Sequence, residues 1–141
     1  MQSVAVSDPD ASGATILIVE DNGMVRNLAA RALRELGHRV LEAEDGLVAL
    51  DVLAGGEKIN LVITDLLMPR MDGYQLAAEL ESRAHRPAVL FISGCGVPHQ
   101  VLTPLLEKPF APAVLQCEVQ RLLDTCGGGL QRYRRPNIPV T

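Results

Sequence analysis

Three apolar runs punctuate this chain, and each one stops on a polar side chain. TILIV spans Thr15 to Val19 and runs into Glu20-Asp21. LVIT spans Leu61 to Thr64 and runs into Asp65. AVLFI spans Ala88 to Ile92 and runs into Ser93. Runs this short, rich in Val and Ile and without polar alternation, read as strands buried on both faces of a parallel sheet. Two weaker strands complete the set: His38 to Ala43, and Leu102 to Leu106, which contains Pro104. Between them lie helical patterns. Val25, Leu28, Ala29, Ala32, Leu33 and Leu36 form one apolar face, with Gly37 as the stop. Leu47 to Leu53 follows the turn pair Asp45-Gly46 and is closed by Gly55-Gly56. Gly73 to Ala84 turns Leu76, Ala77 and Leu80 inward before Pro87. Pro112 opens a last helix carrying Val114, Leu115, Val119, Leu122 and Leu123, which Gly127 to Gly129 ends.

Strands alternating with helices imply parallel βαβ units with right-handed crossovers, and so an α/β sheet covered on both faces. The 141 residues suit one domain, read as residues 14 to 126. Residues 1 to 13 and 127 to 141 read as a flexible leader and tail. A net charge of −4 and 3% aromatics leave neither a basic face nor stacking rings for nucleic acid. Cys95, Cys117 and Cys126 match no zinc spacing, so a reduced, cytoplasmic protein is expected. No run is long enough to span a membrane. Cys95 reads as a small filler rather than a redox sensor. His38, His85 and His99 read as surface groups, and Arg132, Arg134 and Arg135 as a solvated terminus.

Sheets of this kind gather their chemistry at the carboxyl ends of the strands. The exits supply Glu20 and Asp21, then Asp65, then Ser93 and Gly94, and finally Lys108. Three carboxylates at one edge repel each other, and a hard divalent cation relieves that repulsion. An all-oxygen set suits magnesium. Lys108 would balance charge arriving on a substrate, and Ser93 can donate to a phosphoryl oxygen. A carboxylate, a magnesium ion and a lysine can move a phosphoryl group onto Asp65.

The segments ILIVEDN, LVITDLLMPRMDG, VLFISG and LEKPF, in this order and at these spacings, resemble the receiver domain of two-component response regulators. The resemblance covers about residues 14 to 124, and the wording is close to receivers of hybrid sensor kinases. It implies a flavodoxin-like, doubly wound five-stranded parallel sheet in the order 2-1-3-4-5. It implies Asp65 as phosphoacceptor, and a magnesium ion held by Asp21, Asp65 and the backbone carbonyl of Leu67, with Glu20 acting through water. Ser93 becomes the switch hydroxyl, Gly94 lies beside it, and Lys108 pairs with the phosphoryl group. The Lys108-Pro109 bond is expected to be cis. The donor is a histidine kinase or phosphotransfer protein, and the output is a change in protein contacts, with no direct nucleic-acid or membrane partner. The domain catalyses its own phosphorylation and dephosphorylation and is not an independent turnover enzyme.

Three positions depart from the family's pattern. Leu105 stands where an aromatic switch residue is common. Only fifteen positions separate Ser93 from Lys108, so the fourth helix is expected to be short, irregular or absent. A homodimer would then use another face. Leu67 and Cys95 occupy the two positions that tune hydrolysis, which points to slow loss of phosphate. The rival readings are a receiver-fold scaffold that binds a partner without phosphorylation, and a phosphatase or other metal hydrolase. The second lacks an acid at Leu67.

Overall fold

The computed structural model describes residues 13–68, 70–94 and 105–126, with the side chains of residues 125 and 126 excepted. All of the expected leader but Gly13, the expected tail and the short helix before the last strand lie outside these residues, as do Cys95 and His99. Among the described residues nine elements follow one another: β1 (Thr15–Val19), α1 (Gly23–Arg34), β2 (Arg39–Ala43), α2 (Gly46–Ala54), β3 (Leu61–Asp65), α3 (Gly73–Glu81), β4 (Ala88–Ser93), β5 (Leu105–Glu107) and α4 (Pro112–Cys126). All strand pairs are parallel, in the order β2-β1-β3-β4-β5. This is the flavodoxin-like order expected from the sequence.

Side-chain alternation sorts the strands between two cores. Ile16 and Ile18 of β1, Leu61 and Ile63 of β3, and Leu90 and Ile92 of β4 meet α1 and α4 on one face. Leu17, Val19, Val62, Val89 and Phe91 meet α2 and α3 on the other. The period of two along each strand makes this division. Both sets are apolar, so the central strands carry no polar stripe. None of the helices among the described residues is long and apolar enough to cross a membrane.

The helices differ in detail from their sequence patterns. α1 buries Ala29, Ala30, Ala32 and Leu33, while Leu28 is 44% exposed. Leu28 lies one step of about 100° from Ala29, outside the buried stripe. Leu36 is also exposed, because the helix ends at Arg34 and the chain turns through Gly37 at φ 92°. On α4, Leu115, Val119 and Leu122 are buried but Val114 is exposed. α3 stops at Glu81 instead of Ala84. Ser82 and Arg83 tighten it with bonds to the carbonyls of Glu79 and Leu80, both 3.2 Å. β5 has three residues among those described. His38 is not a surface group. It precedes β2, is buried, and its Nδ1 accepts the Ala14 N–H at 2.9 Å.

Ile18 has no exposed surface and sits in the α1/α4 core. Ile18→Ala should cost about 2–5 kcal/mol in urea unfolding. Leu28→Ala should change stability by less than about 0.5 kcal/mol. Equal losses at the two positions would contradict the packing described.

Candidate functional site

β1, β3 and β4 end together at one edge of the sheet. Register sets this: Val19 pairs with Thr64, Asp65 with Ile92, and Ser93 with Glu107. Glu20, Asp65 and Ser93 are buried there, and Asp21 is exposed. Glu20, Asp21 and Asp65 each offer a carboxylate oxygen within 4.8 Å of the others. Lys108 enters from the segment after β5. Its Nζ donates to Asp65 Oδ2 at 2.9 Å and to Glu20 Oε1 at 3.0 Å.

The Glu20 and Asp65 carboxylates are each held by a second donor. The Asn22 N–H donates to Glu20 Oε2 at 3.0 Å, and the Leu67 N–H to Asp65 Oδ1 at 3.2 Å. Burial pushes the Glu20 carboxyl up. The bonds from Asn22 and Lys108 pull it back, the Asp65 charge adds to the rise, and the net shift is upward. Burial alone would lower the Lys108 ammonium. Its bonds to Asp65 and Glu20 outweigh that and hold it above the ordinary lysine value. Lys108 therefore stays charged throughout the neutral range.

The other expected site residues fall around this centre. The Ser93 carbonyl accepts the Lys108 N–H at 2.6 Å, so the lysine's backbone is tied to β4. Among the described residues, the Ser93 hydroxyl has one bond, a long one of 3.4 Å to the Gly94 carbonyl. Leu67 is 73% exposed, with its backbone beside Asp65. Leu105 packs half-buried against the α2/α3 core. The Lys108-Pro109 peptide is cis.

Several supporting residues had not been singled out. Asn22 caps α1 through its side chain, which accepts from the Met24 and Val25 N–H groups. Arg26 donates to the Glu20 carbonyl at 2.8 Å and to Glu42 at 3.2 Å. Thr64 donates its hydroxyl to the Asp65 carbonyl at 2.9 Å. Gly73 closes the turn after β3 so tightly that a Cβ there would lie 2.4 Å from the Asp65 carbonyl oxygen. The Asn22 cap was legible as an Asn directly before a helical pattern. Arg26 had no such signal, because its reach back to Glu20 depends on the docking of α1.

Known proteins resemble this chain in sequence and in fold. The family model of the response regulator receiver domain matches residues 16–120. The chain belongs to the response regulator receiver family. This receiver is 36% identical over 125 residues to the sensor kinase CckA of Brucella abortus, covering 82% of the chain but 13% of that kinase. It is 32% identical to a chemotaxis protein CheY homolog of Campylobacter jejuni, covering 80% of the chain and 95% of the homolog. The crystal structure of the receiver domain from the hybrid histidine kinase CckA superposes with a TM-score of 0.65 at 36% identity. That match covers 77% of this receiver and 98% of the crystallised domain.

The raised Glu20 carboxyl has a consequence for the metal-free receiver. A raised folded-state value means the native protein holds that proton more tightly than the unfolded chain. Its contribution favours folding below the ordinary glutamate value of 4.5, and turns against folding as pH rises through the folded value. At neutral pH the buried charge is a cost. Glu20→Gln should therefore raise the melting temperature at pH 7 by a few degrees without metal, and the gain should shrink near pH 4. A lower melting temperature for the variant at pH 7 would contradict the assignment.

Proposed function

We propose that this receiver is a phosphorylation-dependent signalling switch. It accepts a phosphoryl group onto Asp65 from the phosphohistidine of a histidine kinase or phosphotransfer protein, and answers through altered protein contacts. The observation that carries this reading is the bridging of Asp65 and Glu20 by one lysine, beside a third carboxylate close enough to share a cation.

The donor set fits magnesium, since it is all oxygen, carries net negative charge and is open on the Asp21 side. Asp21, Asp65 and the Leu67 carbonyl would hold the ion, with Glu20 acting through water. When bound, the ion supplies positive charge that offsets the negative charge of the phosphoryl oxygens. The chain's own residues do the rest. An Asp65 carboxylate oxygen attacks phosphorus in line, the bond from phosphorus to the imidazole nitrogen breaks, and that nitrogen leaves with the electron pair. Lys108, charged and already at Asp65, pairs with a phosphoryl oxygen as it arrives. The Ser93 hydroxyl, held among the described residues by one long bond, can turn to another phosphoryl oxygen.

Movement at this centre has a path outward. Lys108 is joined through its backbone to the Ser93 carbonyl, so β4 and β5 feel any shift of the ammonium together. The exposed apolar side chains Met24 and Leu28 on α1, and Leu67 just after Asp65, offer a phosphoryl donor apolar contacts on the segments that follow the acids. The small rotations that follow phosphorylation amount to a population shift between two packings.

Intact mass after incubation with magnesium and acetyl phosphate tests the reading. Wild type should gain one phosphoryl group, and Asp65→Asn should gain none. Chelation should abolish the adduct, and Lys108→Ala should slow its formation about 10²-fold. A small donor can be a poor substrate, so a phosphorylated histidine kinase is the second donor. Asp65 left unmodified by both would sink the proposal.

A further inference from the structure

The turn that follows Asp65 is fastened at both ends. At its base the Gly73 N–H donates to the Leu66 carbonyl at 2.9 Å, against the backbone of the phosphoacceptor itself. At its outer end Arg70 holds a φ of 72°. That left-handed backbone is costly for a residue with a Cβ and free for glycine. The arginine side chain gives a reason for the cost. Its Nε lies 3.0 Å from Asp45 Oδ2, and its Nη2 bonds the same oxygen.

Asp45 is a well-held partner. It is buried and forms the N-cap of α2, with Oδ1 accepting the Val48 N–H at 2.9 Å. That bond and the Arg70 guanidinium hold its carboxyl below the usual aspartate value, so it is charged at neutral pH. Beside the pair, Met71 lies so close to Gly46 that a Cβ on the glycine would be 2.8 Å from the methionine side chain. The turn is thus joined to the first residues of α2 by an ion pair and by close packing. Leu67, whose carbonyl is a proposed metal ligand, lies between the two fastenings.

We propose that the Arg70–Asp45 pair is a positioning clamp. It holds the turn after Asp65 in the shape that metal binding requires, and it couples the acid pocket to the start of α2. The clamp rests on the magnesium reading given above. Arg70 acts through the turn and is not itself a catalytic residue. Because coupling is reciprocal, magnesium in the pocket should in turn steady the α2 cap.

Two measurements on the full chain test this, using Arg70→Gly, Arg70→Lys, Asp45→Asn and the Gly/Asn double variant. Asparagine keeps the capping oxygen and removes the charge. Glycine removes the guanidinium and eases the backbone, so a turn held by its backbone alone would be undisturbed or improved. The first measurement is amide hydrogen exchange without metal. Leu67 and Gly73 should exchange several-fold faster in both single variants, and the double variant should be no worse than either. The second is calorimetric titration with magnesium. Affinity should fall about ten-fold in Arg70→Gly and Asp45→Asn, the lower end for residues that orient metal ligands. Arg70→Lys should recover part of it. Magnesium should slow exchange at Val48 in wild type and not in Arg70→Gly.

Unchanged exchange and unchanged affinity in both single variants would overturn the clamp. Faster exchange with unchanged affinity would overturn the positioning role and leave a purely structural tie. A wild type that binds no magnesium would overturn the metal reading instead, and the metal-free exchange would still decide whether the pair holds the turn.

Discussion

One ammonium group makes the functional edge of this fold tenable. Glu20 and Asp65 are both buried, and their oxygens lie close together. Two carboxylates in such a setting repel, and each loses hydration. Lys108 answers both with bonds of 3.0 and 2.9 Å. It comes from 88 positions away from one acid and 43 from the other. Local structure cannot bring these groups together. Only a sheet that places β1, β3 and β5 in fixed lateral order does so, and the apolar cores on its two faces hold that order.

The balance left by this arrangement is incomplete in a useful way. One positive charge meets two buried carboxylates, with the exposed Asp21 beside them. The site is therefore net negative before any ligand arrives, and the Asp65 charge adds to the rise that burial gives the Glu20 carboxyl. In the proposed reaction a cation would offset that charge, and an arriving phosphoryl group would redistribute the bonds of Lys108. The same excess charge that weakens the metal-free fold prepares the site for its proposed partners.

Strand exits were legible because buried β-branched runs are distinctive and their last residues are polar. Glu20, Asp21, Asp65 and Ser93 were found that way, and Lys108 from its place after a weaker strand. Helix faces were read less well. Leu28 and Val114 satisfied an apolar period but lie outside the stripes that touch the sheet, since the width of a stripe depends on how closely the helix docks. His38 looked like a surface group, yet its burial depends on the Ala14 N–H, 24 positions earlier in the chain. The residues that brace the site, Arg26 and the Arg70–Asp45 pair, carry long side chains whose targets lie on other elements. No local period marks such targets, and Asp45 in sequence was simply half of a turn pair.

Glu20 and Asp21 are neighbours with unlike surroundings, and the difference bears on how the proposed metal would sit. Both Glu20 oxygens are already engaged, one by the Asn22 N–H and one by Lys108. Those bonds leave lone pairs on its oxygens, as they do on Asp65, so it is access that separates the neighbours: Glu20 has no exposed surface, whereas Asp21 stands open to an arriving hydrated cation. The direct ligand role therefore belongs with Asp21 in the proposed site, and an intervening water suits Glu20. A strand that ends one residue earlier would exchange these roles, because successive side chains at a strand end point to opposite sides. The bond from the Glu20 N–H to the Ala43 carbonyl, 3.0 Å, continues the β1–β2 pairing one step beyond Val19 and fixes which of the two acids turns inward.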